Sequence, residues 1–192
     1  MSLTDSSHPR ILVFAGPNGS GKSTITKGLP LCGIYVNADD IKRLSQCTDM
    51  EAVQEAERIR QMLLNRHKDF TFETVLSTDR NLELLRQAKK QGYEIYAVFV
   101  LTSHPSINVR RVKSRARAGG HDVPEDKIIS RYEKSLRNLT LLVRIADHTR
   151  VIDNSNDKLR LICEVHNQHV TIWENEQWTR KAILRLLADR KR

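Results

Sequence analysis

A chain of 192 residues, 39% hydrophobic and 29% charged, is long enough to bury a core without disulfide help, which sets aside disordered and cystine-framework classes. Its 32 basic against 23 acidic side chains leave a net charge of +9, a balance that attracts polyanions such as nucleic acid and phosphorylated metabolites. No apolar run approaches the roughly 20 residues that cross a bilayer, and the polar start has no signal core, so a cytoplasmic protein with no membrane partner is expected.

The first nine residues are expected to be flexible. Strand one, Ile11–Ala15, then runs into Gly16-Pro17-Asn18-Gly19-Ser20-Gly21-Lys22-Ser23-Thr24, which fits G-x-x-x-x-G-K-[S/T]. A strand before this motif and a helix after it are the context that makes it a phosphate-binding loop rather than a glycine-rich turn. Gly16, Asn18, Gly19, Ser20, Gly21, Lys22, Ser23 and Thr24 are therefore the candidate ATP-binding residues. Glycines let backbone N–H groups converge on an anion; Lys22 faces the outer phosphates and the Ser23 hydroxyl is the expected Mg2+ ligand.

The short helix is stopped by Gly28 and Pro30. Strand two, Ile34–Val36, ends in Asn37-Ala38-Asp39-Asp40, and a helix from about Met50 to His67 carries Ala52, Ala56, Ile59 and Leu63 on one stripe. Strand three, Phe70–Glu73, precedes a helix that Asp79 is placed to cap and that ends near Gly92. Strand four, Tyr93–Leu101, is an unbroken apolar run, as a central buried strand requires. His104-Pro105 opens a helix through an arginine cluster to Gly119-Gly120, and Pro124 begins another that reaches about Val143. Strand five is Thr149–Ile152; Leu159–Val165 and His169–Trp173 read as an antiparallel pair before a closing helix. In that helix Ile183, Leu184, Leu186 and Leu187 supply the apolar side and the basic residues a solvated one. The alternation predicts one α/β domain over residues 1–192: a three-layer P-loop kinase fold around a mostly parallel five-stranded sheet.

Ligands of open α/β sheets bind at the carboxyl ends of the strands, and three polar clusters fall there. Asp39 is the candidate to take a proton from an acceptor hydroxyl, and Asn37, Asp39, Glu73 and Thr74 form a candidate acceptor site. The bland alternatives are capping for Asp39 and Asp40 and a surface carboxylate for Glu73. The cations for a transferred phosphoryl are sought among Arg111, Arg115, Arg117 and Arg131. Arg111 and Arg115 lie four apart on one face and are preferred; the adjoining glycines suit a lid hinge, whereas the competing reading is a solvated helix face. Catalysis is thus assigned to Asp39, Lys22, Arg111 and Arg115. Cys32, Cys47 and Cys163 read as buried free thiols, and His166 with His169 as structural or exposed.

The phosphate loop, Tyr35-Val36-Asn37-Ala38-Asp39-Asp40-Ile41, Phe72-Glu73-Thr74-Val75-Leu76-Ser77 and the run from Arg111 through Gly119-Gly120-His121-Asp122-Val123-Pro124 together resemble the zeta toxin family of P-loop kinases, in its short chromosomal form. The resemblance covers about residues 10–155 and extends to Arg131-Tyr132 and Asp153-Asn154-Ser155. It implies an ATP- and Mg2+-dependent kinase with Asp39 as base, Lys22 and Ser23 on the phosphates and metal, Glu73 in the acceptor pocket and lid arginines on the phosphoryl group. It also implies a small-molecule hydroxyl acceptor such as the nucleotide sugar UDP-N-acetylglucosamine, and an antitoxin partner. Two positions depart: Val75 stands where plasmid-type toxins carry a sugar-contacting threonine, and His121 falls where they carry a lid arginine. The alternatives are a nucleic-acid kinase or ATP-regulated RNA-binding protein, and an interaction protein with a relic loop. Nucleic acid is disfavoured because aromatics are only 5% and do not interleave with the basic residues.

Overall fold

The computed structural model describes residues 8–120, 122–156 and 158–188. Its elements are β1 (Arg10–Ala15), α1 (Lys22–Thr26), β2 (Ile34–Val36), α2 (Ala38–Ser45), α3 (Asp49–Asn65), β3 (Phe70–Thr74), α4 (Arg80–Lys90), β4 (Glu94–Leu101), α5 (Pro105–Arg117), α6 (Glu125–Ile145), β5 (His148–Asp153), β6 (Arg160–His166), β7 (His169–Ile172) and α7 (Arg180–Leu187). The strands form one sheet in the order β2-β3-β1-β4-β5-β6-β7. The first five are parallel, and β6 and β7 are added antiparallel at the β5 edge. The sheet therefore has seven strands rather than five, because the expected strand pair joins the same sheet.

Strand alternation gives the sheet two unlike faces. Ile11, Val13, Phe70, Phe72, Ile95, Phe99 and Leu101 pack with Leu63, Leu64, Leu82, Leu85, Leu139 and Leu142 of the helices into the main core. On the other face Phe14, Val98 and Val100 meet Ile25 of α1. From β1 the chain crosses outward to β2, and from β3 it crosses the other way to β4. The switch falls at β1, so a crevice opens at its carboxyl end.

Local chemistry explains most boundaries. Thr48 and Glu51 form a capping box at α3. Asn37 caps α2 by accepting from the Asp39 N–H at 2.8 Å, so neither aspartate is the cap; Asp40 instead pairs with exposed Arg43. Asp79 stands at the start of α4 but its side chain makes no capping bond. Only Cys163 is buried, Cys32 and Cys47 being half-exposed, and Leu184 of α7 faces outward while Ile183 and Leu186 are buried. The expected flexibility of residues 1–9 lies mostly outside the described residues; Pro9 is held, its carbonyl accepting from Glu94 N–H at 2.9 Å. Among the described residues no helix is long and apolar enough to cross a membrane.

Phe99 is fully buried in β4, between β1 and β5. Phe99→Ala removes a core ring with no room to collapse, and urea unfolding is expected to show a loss of about 3–5 kcal/mol; a loss below about 1 kcal/mol contradicts this core assignment.

Candidate functional site

Where β1 ends the backbone has nowhere to put a side chain. Gly16 takes φ +141, and a Cβ there would lie 2.0 Å from the Val100 carbonyl oxygen. Gly21 takes φ +96, and its Cβ would lie 2.2 Å from Asn154 Nδ2. Gly16 N–H donates to the Thr74 carbonyl at 3.2 Å, which ties the loop to β3. Two asparagines hold it from the other side: Asn108 of α5 donates to the Asn18 carbonyl at 2.5 Å, and Asn154, after β5, donates to the Ser20 carbonyl at 2.8 Å. Asn108 is itself fixed by the Thr102 hydroxyl, whose carbonyl accepts from Tyr132 Oη. Asn108 and Thr102 carry no sequence signal for this role; Tyr132 and Asn154 lay only within motifs of the resemblance.

The cradle suits a phosphate chain. Ser20 Oγ and Asn18 Oδ1 are buried without a hydrogen-bond partner, a cost that a bound ligand or water relieves. Lys22 Nζ lies over the loop, donating to the Gly16 and Pro17 carbonyls at 2.7 and 3.1 Å. Burial lowers its pKa to about 8, the Arg115 charge pushes the same way, and the Glu73 and Asp39 carboxylates oppose both. The sequence-predicted groups Asp39, Glu73 and Arg115 thus all act on the loop lysine.

Each remaining candidate has a definite place. Ser23 and Thr24 sit exposed in the first turn of α1. Ser23 Oγ donates to Glu73 Oε2 at 2.8 Å, so the glutamate expected in the acceptor pocket also bears on the hydroxyl expected to hold the metal. Glu73 Oε1 accepts from Tyr35 Oη at 2.7 Å, and Tyr35 accepts from Asn37 Nδ2 at 2.7 Å. Burial, then the bond to Glu73, keeps the Tyr35 phenol well above its ordinary pKa. Asp39 is exposed in the first turn of α2.

Thr74 is buried, and its hydroxyl accepts from Leu76 N–H and Asn81 Nδ2, both at 2.9 Å. These two bonds make Thr74 a support of the turn that follows β3. That turn places buried Leu76 at φ +56, a conformation bulky side chains avoid. Arg111 donates to the Asn154 carbonyl at 2.7 Å, bracing the segment that braces the loop. Arg117 is exposed, Arg131 is half-buried on α6, and His121 lies outside the described residues.

Ser23 and Glu73 are hard oxygen groups of the kind Mg2+ accepts. Among the described residues no group of three or more His, Cys, Asp or Glu side chains forms a metal cage. The site therefore fits a cation shared with a nucleotide, which supplies most of its ligands as phosphate oxygens and water.

The family model for Zeta toxin matches residues 2–165. An uncharacterized protein of Haemophilus influenzae is 26% identical over 129 residues, 64% of this chain and 92% of its own. The crystal structure of AvrRxo1-ORF1:AvrRxo1-ORF2 with sulphate ions superposes with a TM-score of 0.69 at 14% identity, and the same complex with ATP with 0.68 at 13%. In each the match covers 98% of this chain but 66% of the other, so this chain spans just under two thirds of that longer one. The PezAT chromosomal toxin-antitoxin system of Streptococcus pneumoniae matches with a TM-score of 0.57 at 18% identity, over 84% of this chain and 73% of that one. At these identities the structural likenesses concern the fold.

Lys22 holds its charge below about pH 8 and loses it above. Calorimetric ATP affinity is therefore expected to be nearly level up to about pH 7, to begin falling near pH 8 and to weaken further toward pH 9.5, because binding must then restore the proton that the phosphates favour. Lys22→Ala is expected to bind about 10- to 100-fold more weakly at pH 7.5 and to lose the decline; an unchanged decline in that variant contradicts the assignment.

Proposed function

The chain belongs to the Zeta toxin family, and from that premise we propose that it is an ATP-dependent kinase which transfers the γ-phosphoryl group to a hydroxyl of a small molecule. The observation that carries this reading is a half-buried loop lysine laid over glycines pressed against backbone and side chain, with Glu73 bonded to the adjoining Ser23 and the charges of Asp39, Glu73 and Arg115 all bearing on that lysine. The AvrRxo1 complex solved with ATP shares the fold and supports a nucleotide in the loop.

Little covalent work falls to the protein in phosphoryl transfer, so position and charge decide the rate. In the proposed reaction loop N–H groups and Lys22 hold the β- and γ-phosphates. Asp39 accepts the acceptor hydroxyl's proton as its oxygen bonds to the γ-phosphorus. The bond from that phosphorus to the β–γ bridging oxygen breaks, and ADP leaves. Arg115 offsets charge on the transferred group, while Arg111 steadies the Asn154 brace. Ser23 and Glu73 would hold Mg2+, which supplies charge neutralisation and orientation of the phosphates when bound.

The acceptor class we propose is the nucleotide sugars, UDP-N-acetylglucosamine first. Val75 offers no side-chain hydrogen bond to a sugar, so an acceptor gripped differently from that of plasmid-type toxins is the chief competitor within the class. An antitoxin partner is proposed from the family and from the PezAT system, which is a toxin-antitoxin pair.

Incubation with labelled ATP and a panel of nucleotide sugars, polyols and a 5′-hydroxyl oligonucleotide tests the reading by mass spectrometry. One phosphorylated nucleotide sugar is the expected product; label on the oligonucleotide end, or on nothing, contradicts it. With the accepted substrate, Asp39→Ala is expected to lower kcat by about 100- to 10,000-fold with ATP affinity preserved. Loss of ATP binding in that variant would instead place Asp39 in the nucleotide site.

A further inference from the structure

A continuous chain of hydrogen bonds runs from the loop serine to the helix that carries Asp39. Ser23 Oγ donates to Glu73 Oε2, Tyr35 Oη donates to Glu73 Oε1, Asn37 Nδ2 donates to Tyr35 Oη, and Asn37 Oδ1 accepts from Asp39 N–H. All four links lie between 2.7 and 2.8 Å. The donor directions are forced. An ionised carboxylate only accepts, so Ser23 and Tyr35 both point their single protons at Glu73. Having given its proton, Tyr35 must accept from Asn37, and the Asn37 amide is then turned so that its oxygen caps α2.

Two consequences follow from those directions. A serine whose proton is held by a carboxylate offers a cation its lone pairs and not its proton. The rotamer of Glu73 is in turn held by Tyr35, which binds the oxygen that Ser23 leaves. Outer groups that orient a metal's direct ligands in this way govern metal affinity nearly as strongly as the ligands do. The same Asn37 amide that secures Tyr35 also fixes the first turn of α2, where Asp39 stands.

Resting on the kinase reading above, we propose that Tyr35 is a positioning residue that acts through Glu73, fixing the Glu73 carboxylate and the Ser23 hydroxyl together for Mg2+ and tying that metal position to the Asp39 helix. A tyrosine is required because one group must donate to a carboxylate and accept from an amide at once. Tyr35 sits half-buried on the three-residue edge strand β2, where a phenyl ring fills the same space. A merely structural role therefore predicts that Tyr35→Phe changes nothing in metal dependence.

The test is calorimetric binding of a non-hydrolysable ATP analogue across a Mg2+ titration, for the wild-type protein, Tyr35→Phe, Glu73→Gln and the double variant. Tyr35→Phe is expected to keep metal-free nucleotide affinity and to raise the half-saturating Mg2+ concentration about three- to tenfold, the size of one ordinary net hydrogen bond, because Tyr35 acts at one remove from the metal. Glu73→Gln is expected to raise it about 10- to 100-fold, and the double variant no further, because one residue acts through the other. An unchanged Mg2+ requirement in Tyr35→Phe, or additive effects in the double variant, overturns the proposal. Should Tyr35→Phe be unstable, Asn37→Ser keeps a good helix cap while removing the amide that supports Tyr35, and the same direction of shift is expected. Binding and transfer are read separately. A wild-type protein that couples nucleotide to Mg2+ yet phosphorylates nothing defeats the kinase reading, and the variants still decide Tyr35. A working kinase whose Mg2+ requirement ignores Tyr35 defeats only the relay.

Discussion

The fold turns on one steric constraint, the Val100 carbonyl standing where a side chain on Gly16 would have to start, across the β1–β4 pair. No side chain fits there, so the chain must leave β1 in a conformation open to glycine. Ala15 pairs with Thr74 on one side and Phe99 on the other, so that exit falls at the carboxyl end of the sheet, between β3 and β4. What converges on the loop follows from this placement. Glu73 comes from β3 on one flank, and Asn108 and Asn154 come from the elements after β4 and β5 on the other.

The site balances opposite charges around a half-hidden ammonium. Burial and Arg115 weaken the preference of Lys22 for the charged form, and Glu73 with Asp39 restores part of it. A lysine poised in this way answers to phosphate more sharply than a fully solvated one, because the anion removes a cost already present. It also gives exposed Asp39 a neighbour of opposite sign. The Ser23–Glu73 contact joins the phosphate loop to the end of β3.

What the sequence made legible was local. The phosphate loop is contiguous, and the parallel strands announce themselves as apolar runs because both their faces are covered. Strands β6 and β7 were visible as a pair, but nothing in their residues said that they extend the same sheet. Helix α2 buries no residue, so no apolar stripe marked it, and the capping role fell to Asn37 rather than to an aspartate. The supports of the loop were illegible for another reason. Asn108 and Asn154 meet it across 90 and 134 residues of sequence, and Glu73 meets Ser23 across 50. Tyr35 read as one apolar residue of a short strand, and only the fold reveals that its hydroxyl joins two sites. Thr74 carried a signal only through its position beside Glu73, and its bonds to Leu76 and Asn81 in the turn before α4 are visible only in the fold.

In the proposed reaction a triphosphate held by the loop presents its last phosphoryl group to Asp39. A crystal structure with Mg2+ and a non-hydrolysable ATP analogue measures this most directly. The account predicts the γ-phosphoryl group contacted by Lys22, the cation on Ser23, and the Asp39 carboxylate facing that group across a space that admits a hydroxyl. A γ-phosphoryl group pointing away from Asp39, with the aspartate bonded to the ribose or turned to solvent, would contradict it.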